Sequence, residues 1–85
     1  MNTRAVNINY PDGPDPRAIA WFEANDIDPH TVVGEQEVLV NYDGRVMGYA
    51  EFILSDDGQR IPGGHGHLKQ IKIVPMISTP ENFGL

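Results

Sequence analysis

The pair Asp43-Gly44, set between two alternating runs, constrains this chain more than any other feature. Asp-Gly flanked by alternating apolar residues is a strong short-range hairpin signal, because both residues tolerate the backbone that a tight turn needs. Gln36 to Tyr42 and Arg45 to Leu54 are therefore expected to pair as antiparallel strands. Two registers compete. A two-residue turn pairs Tyr42 with Arg45 and puts Val38 and Val40 on one face with Met47 and Tyr49. A three-residue loop, with Gly44 in the left-handed region, pairs Asn41 with Arg45. Val38, Val40, Val46, Gly48, Ala50, Phe52 and Leu54 then share a face, opposite Glu37, Leu39, Asn41, Arg45, Met47, Tyr49 and Glu51. The second register separates apolar from polar residues more cleanly and is preferred, since a one-residue slip exchanges the two faces. It leaves a shallow trough at Gly48 and Ala50 for a helix to approach.

That helix lies upstream. Asp15-Pro16 opens it, because a carboxylate accepts from the free first-turn N–H groups and Pro suits the first helical position. Ile19 and Phe22, with Ala18 beside Trp21, form its apolar stripe, and Asn25 is expected as the left-handed residue that ends it, with Ile27 folding back. Asp28-Pro29 repeats the cap-then-proline signal and predicts one further turn. Before the helix, Arg4, Val6, Ile8 and Tyr10 alternate with Thr3, Ala5, Asn7 and Asn9 as a first strand, stopped by Pro11-Asp12-Gly13-Pro14. Residues 55–66 read as a polar loop. His67 to Val74 reads as a last strand, with Ile71 and Ile73 facing the core and Gln70 and Lys72 facing out. The order β-α-β-β-β predicts an α+β fold: one mostly antiparallel sheet with one short helix packed on one face, over residues 1–76, followed by an irregular C-terminal tail, 77–85.

A chain of 85 residues has room for one core, and a core this small leans on self-association. The net charge is −6, with 11 acids and 3 bases before residue 59 and 1 acid and 3 bases after it. Such a surface repels phosphate backbones, so direct nucleic-acid binding is disfavoured. The apolar runs are too short to span a bilayer, the N-terminus lacks the apolar segment of a secretory signal, and Cys is absent. No membrane association and a cytoplasmic location are expected.

The residue types that carry chemistry are sparse. His65 and His67 project the same way from an extended Gly-rich segment and are the only weak candidates for a metal site. A third ligand is wanting, beyond His30 or Asp56 and Asp57, and a loop running into a strand is the ordinary reading. Asp56-Asp57-Gly58 lacks the spaced oxygen ligands of a calcium loop. Ser55 or Ser78 could join His30 and Asp28 only on paper, with no nucleophile elbow. No enzyme activity and no cofactor are predicted. An interaction surface is the better candidate: Leu39, Met47 and Tyr49 on the outer hairpin face, rimmed by Glu37, Arg45 and Glu51, with Trp21 at the core edge as a second anchor. The ordinary alternatives are that the chain itself covers this patch and that Trp21 is core. Phe83 and Leu85 in the tail could dock into another protein or simply fray.

Trp21-Phe22-Glu23-Ala24-Asn25-Asp26-Ile27-Asp28-Pro29, Val38-Leu39-Val40, Tyr42-Asp43-Gly44, Tyr49-Ala50-Glu51-Phe52 and Ile73-Val74-Pro75 together resemble a group of small orphan proteins of actinobacteria and their phages. The resemblance spans residues 17–76, and its motifs are a cap, a turn and strands. It implies no site residue, only a context: a small accessory protein, phage-encoded, in a bacterial cytoplasm. The function expected is a non-catalytic protein-binding accessory domain that modulates a host or phage protein and forms a homodimer through the open sheet face or an edge strand. Two alternatives stand beside it. One is an acidic nucleic-acid mimic inhibiting a DNA-binding enzyme, which needs Asp12, Asp15, Glu23, Asp26, Asp28 and Asp43 on one surface. The other is a metal-binding protein acting through the Gly/His loop.

Overall fold

The computed structural model describes residues 2–10, 13–34, 36–64 and 66–85. Four strands form the main sheet in the order β1 (Thr3–Val6), β4 (Val38–Asn41), β5 (Val46–Phe52) and β8 (Lys69–Pro75), every neighbour antiparallel. Two short ribbons complete the strands: β2 (Asn9–Tyr10) with β3 (Gly13–Pro14), and β6 (Pro62–Gly63) with β7 (Gly66–His67). Helix α1 spans Pro16–Ala24, and 3-10 turns cover Pro29–Thr31 and Pro80–Phe83. The chain is thus a small α+β domain with one helix on a mostly antiparallel sheet.

Local chemistry explains where α1 starts and stops. The Asp15 carboxylate accepts from Arg17 N–H at 2.9 Å, and Pro16 takes the first helical position, where no N–H is needed. At the other end the left-handed residue is Asp26 (φ 63°), one place beyond the expected Asn25 (φ −104°). Ile27 N–H reaches back to Phe22 C=O at 2.9 Å and Asp26 N–H to Glu23 C=O at 3.2 Å, the paired bonds of a Schellman ending. Ile27 is buried as expected.

The core joins α1 to one face of the sheet. Ala18, Trp21 and Phe22 pack on Val6, Val38, Val40, Met47 and Tyr49, with the Phe22 and Tyr49 rings 6.3 Å apart. This overturns the preferred hairpin register. Asn41 pairs with Val46, Val40 with Met47 and Leu39 with Gly48, so Met47 and Tyr49 point into the core and Gly48 points away from it. The turn is Tyr42 to Arg45, its left-handed residue is Arg45 (φ 53°) rather than Gly44, and Asn41 Oδ1 accepts from Gly44 N–H at 2.9 Å. Area decides the outcome. Burial free energy scales with apolar surface, and Met and Tyr bury far more of it against Trp21 and Phe22 than Gly and Ala would.

The slip carries β8 with it. Tyr49 pairs with Lys72 and Gly48 with Ile73, so Ile71 and Ile73 stand outward and Val74 packs on the core, the reverse of the expected orientation. Nor is the C-terminal segment irregular. Asn25, itself buried, accepts at Oδ1 from Ile77 N–H (2.6 Å) and Ser78 N–H (3.0 Å) and donates to Ser78 C=O (3.1 Å). Trp21 Nε1–H donates to the same carbonyl at 2.9 Å. Pro80 is buried, Phe83 and Leu85 pack against the core, and Arg17 donates to Gly84 C=O at 2.6 Å.

Candidate functional site

The residues singled out as interaction anchors part company. Met47 and Trp21 are completely buried and Tyr49 nearly so, at 0%, 0% and 3% exposure. None of the three is available to a partner. Trp21 stacks on Phe22 with ring centroids 5.5 Å apart, and its one polar atom is satisfied by Ser78 C=O. Burial, then the neighbouring Glu51 carboxylate, push the Tyr49 phenol up to about 12. Its hydroxyl lies 3.2 Å from Glu51 Oε2, to which it donates. Phe83 and Leu85, read as a peptide for another protein, are spent on this chain's own core.

Leu39 alone of that set is on the surface, 62% exposed. It stands on the sheet face turned away from α1, in a cross-strand row that reads Ala5, Leu39, Gly48, Ile73 from β1 to β8. Ile73 is 69% exposed and Ile71, two residues along β8, 68%. Gly48 leaves the middle of the row bare, between Leu39 on one side and Ile73 on the other. The result is a shallow, mainly apolar depression of about 590 Å³, bounded at one end by Gln36 and Glu37. The neighbouring row toward the hairpin turn, Thr3, Asn41, Val46 and Pro75, carries no charge either. Of Leu39, Met47 and Tyr49, expected together on the outer hairpin face from the other register, only Leu39 lies on this side of the sheet. Once Gly48 is placed outward, alternation alone brings Leu39, Ile71 and Ile73 to it.

The remaining candidates are engaged elsewhere. His67 lies edge-on to Phe52 at 6.0 Å, with the Arg60 guanidinium 4.0 Å above the same Phe52 ring. Its partner in the metal reading, His65, lies outside the described residues, among which no group of three or more His, Cys, Asp or Glu could hold a metal ion. His30 Nδ1 is 3.2 Å from Asp28 Oδ1, and hydrogen bonds from the His30 backbone and ring hold the Asp28 carboxyl below its usual range. No serine completes that pair: the Ser55 hydroxyl donates to Asp57, and the Ser78 main chain is held by Trp21 and Asn25.

Of the acids wanted for a nucleic-acid mimic, Asp12 lies outside the described residues and Asp15 is buried and paired with Arg17 at 2.9 Å. Glu23, Asp26 and Asp28 gather around the end of α1, and Asp43 sits on the hairpin turn with Asn2 N–H donating to it at 3.2 Å. Among the described residues no helix is long and apolar enough to cross a membrane.

Fold and surface together define the class: a small one-layer-on-one-layer α+β domain whose sheet is packed on one side and open on the other. Comparison adds no closer assignment, since no family model, no curated protein and no solved structure matches the chain.

Proposed function

We propose that this chain is a non-catalytic protein-binding accessory domain, active in a bacterial cytoplasm, and that the open face of the sheet is its binding surface. One observation carries the reading. Three branched aliphatic side chains, Leu39, Ile71 and Ile73, are each more than half exposed on one sheet face around a bare glycine. Scattered single apolar residues on a surface need no explanation, but a contiguous apolar patch costs solubility and marks interaction sites. The chain's acidity keeps it dispersed, while the middle of the patch, at Leu39, Gly48 and Ile73, carries no charge, as the centre of a protein interface does. The cytoplasmic, phage-associated setting rests on the resemblance of residues 17–76 to small actinobacterial and phage proteins.

The test is paired retention. Wild type and the double variant Leu39→Glu/Ile73→Glu are immobilised, after circular dichroism has shown that both are folded, and offered an actinobacterial lysate and free wild-type chain. A protein, or the chain itself, retained by wild type and lost by the variant is the expected result. Identical retention by both overturns the reading.

A further inference from the structure

We propose that the occupant of this face is a second copy of the chain, joined by a two-fold axis that passes between β4 and β5 and bisects the strand directions of the two sheets. The inference rests on the binding-surface reading above and goes further by naming the partner and the register.

The central row is small, large, small, large: Ala5, Leu39, Gly48, Ile73. A two-fold axis lying between the middle two strands reverses that row on the facing sheet. Each Leu39 then meets the other copy's Gly48, and each Ile73 meets the other copy's Ala5. Every large residue faces a small one, and the match holds in both directions, as an isologous contact requires. Sheets that pack face to face cross at about 30°, so the fit is best in this central row and opens away from it. Charge points the same way. This row and the next one toward the hairpin turn carry no charge, with Glu37 only at the far end of the depression, so the centre of the face meets an uncharged surface such as its own copy better than a basic one.

Area sets the strength. Four strands about 4.8 Å apart and about 17 Å long present a projected face of about 300 Å². That lies well below the roughly 800 Å² per partner of a stable complex, so the dimer is weak and concentration-dependent. Pairing through the β8 edge is the competing geometry. Lys69, Lys72 and Pro75 blunt that edge in the way natural edge strands avoid pairing.

Analytical ultracentrifugation of the full chain over a wide concentration range tests the proposal. Wild type should move from monomer to dimer, and added salt should leave the dimer unchanged or tighter, because it screens the repulsion between two acidic copies. Gly48→Val fills the hole. A Cβ there would meet Ile73 Cγ1 at 3.7 Å and Lys72 C=O at 3.9 Å, ordinary contacts, so the fold should survive. Leu39→Ala removes the knob from an exposed position. Each should weaken the dimer by at least about tenfold, since the two-fold doubles its effect: Gly48→Val blocks both sites that receive Leu39, and Leu39→Ala empties both.

Register is read by cross-linking, free of background because the chain has no cysteine. A short bismaleimide should join Ala5→Cys chains to Ile73→Cys chains but not Ile73→Cys chains to one another, because the two-fold sets the latter three strands apart. An Ile73–Ile73 link without the mixed one, a dimer indifferent to both substitutions, or a wild-type monomer at every concentration would each overturn the proposal. If wild type stays monomeric while Leu39→Glu/Ile73→Glu still loses a retained lysate protein, the dimer fails and the binding surface stands. If neither measurement responds, both fail.

Discussion

Arg45 is held at φ 53°, in the left-handed region that costs a side-chain-bearing residue roughly 1–2 kcal/mol. Its carbonyl accepts from Met76 N–H at 2.8 Å, so the turn is also where the C-terminal segment is fastened. Glycine removes the steric cost and gives back part of the gain as unfolded-state entropy. Arg45→Gly should therefore stabilise the domain by about 0.5–1 kcal/mol, a rise of a few degrees in thermal midpoint for a chain this size, read by circular dichroism. Tyr49 offers a pH signature. Its phenol is raised from about 10 to about 12 by burial and by Glu51, so the folded state holds the proton after the unfolded state has released it. Stability is then intact below about pH 10 and falls as pH climbs from about 10 toward about 12. Ultraviolet titration should find tyrosine ionisation extending late, with the Tyr42 phenol also raised by burial and its Glu81 hydrogen bond, and Tyr49→Phe should remove the part that ionises toward about 12.

At the scale of elements, Asn25 makes most of the hydrogen bonds that tie the C-terminal segment to the helix, with Trp21 and Arg17 adding one each. Asn25 uses both ends of its amide: Oδ1 accepts from Ile77 and Ser78, and Nδ2 donates to Trp21 C=O at 2.8 Å and to Ser78 C=O. That role accounts for Asp26, not Asn25, taking the left-handed position, since the amide must stay turned toward residues 77–78. Asn25→Ala leaves two N–H groups and two carbonyls without this partner and should cost about 1–3 kcal/mol. Hydrogen exchange should show the effect as faster exchange at Ile77 and Ser78, with β4 and β5 changed only by the global loss. Equal acceleration everywhere would mean that the segment and the sheet open as one unit.

For the whole molecule, the sheet's two faces have opposite tolerances. The helix side holds Trp21, Met47 and Tyr49 with almost no exposure. Trp21→Ala should cost about 3–5 kcal/mol. That is a large share of a total of about 4–13 kcal/mol for a chain of this length, and at the low end of that range it unfolds the domain. Tyr49→Glu should likewise unfold the protein, since it places a charge beside Glu51 in the core. The open side should be permissive: Ile71→Thr/Ile73→Thr exchanges two exposed side chains for others that suit strands and should shift stability by less than about 1 kcal/mol. Chemical denaturation of the two sets separates them. A large loss from the threonine pair would mean that the open face is covered within the monomer.

What the sequence determined by itself is local. A carboxylate before a proline starts α1, the Asp43-Gly44 pair turns the hairpin, and alternation marks the strands; each rests on interactions within a few residues. From these the α+β class and the β-α-β-β-β order were legible. The faces were not. Both hairpin registers satisfy the turn, and counting apolar positions treats Gly48 as the equal of Met47. Only in three dimensions, with Trp21 and Phe22 laid across the sheet, does the larger buried area of Met47 and Tyr49 decide which face is core. That one decision turns Leu39, Ile71 and Ile73 outward together. Tertiary packing likewise makes Trp21 core rather than surface, and Asn25, some fifty residues away in sequence, the clamp on residues 77–78.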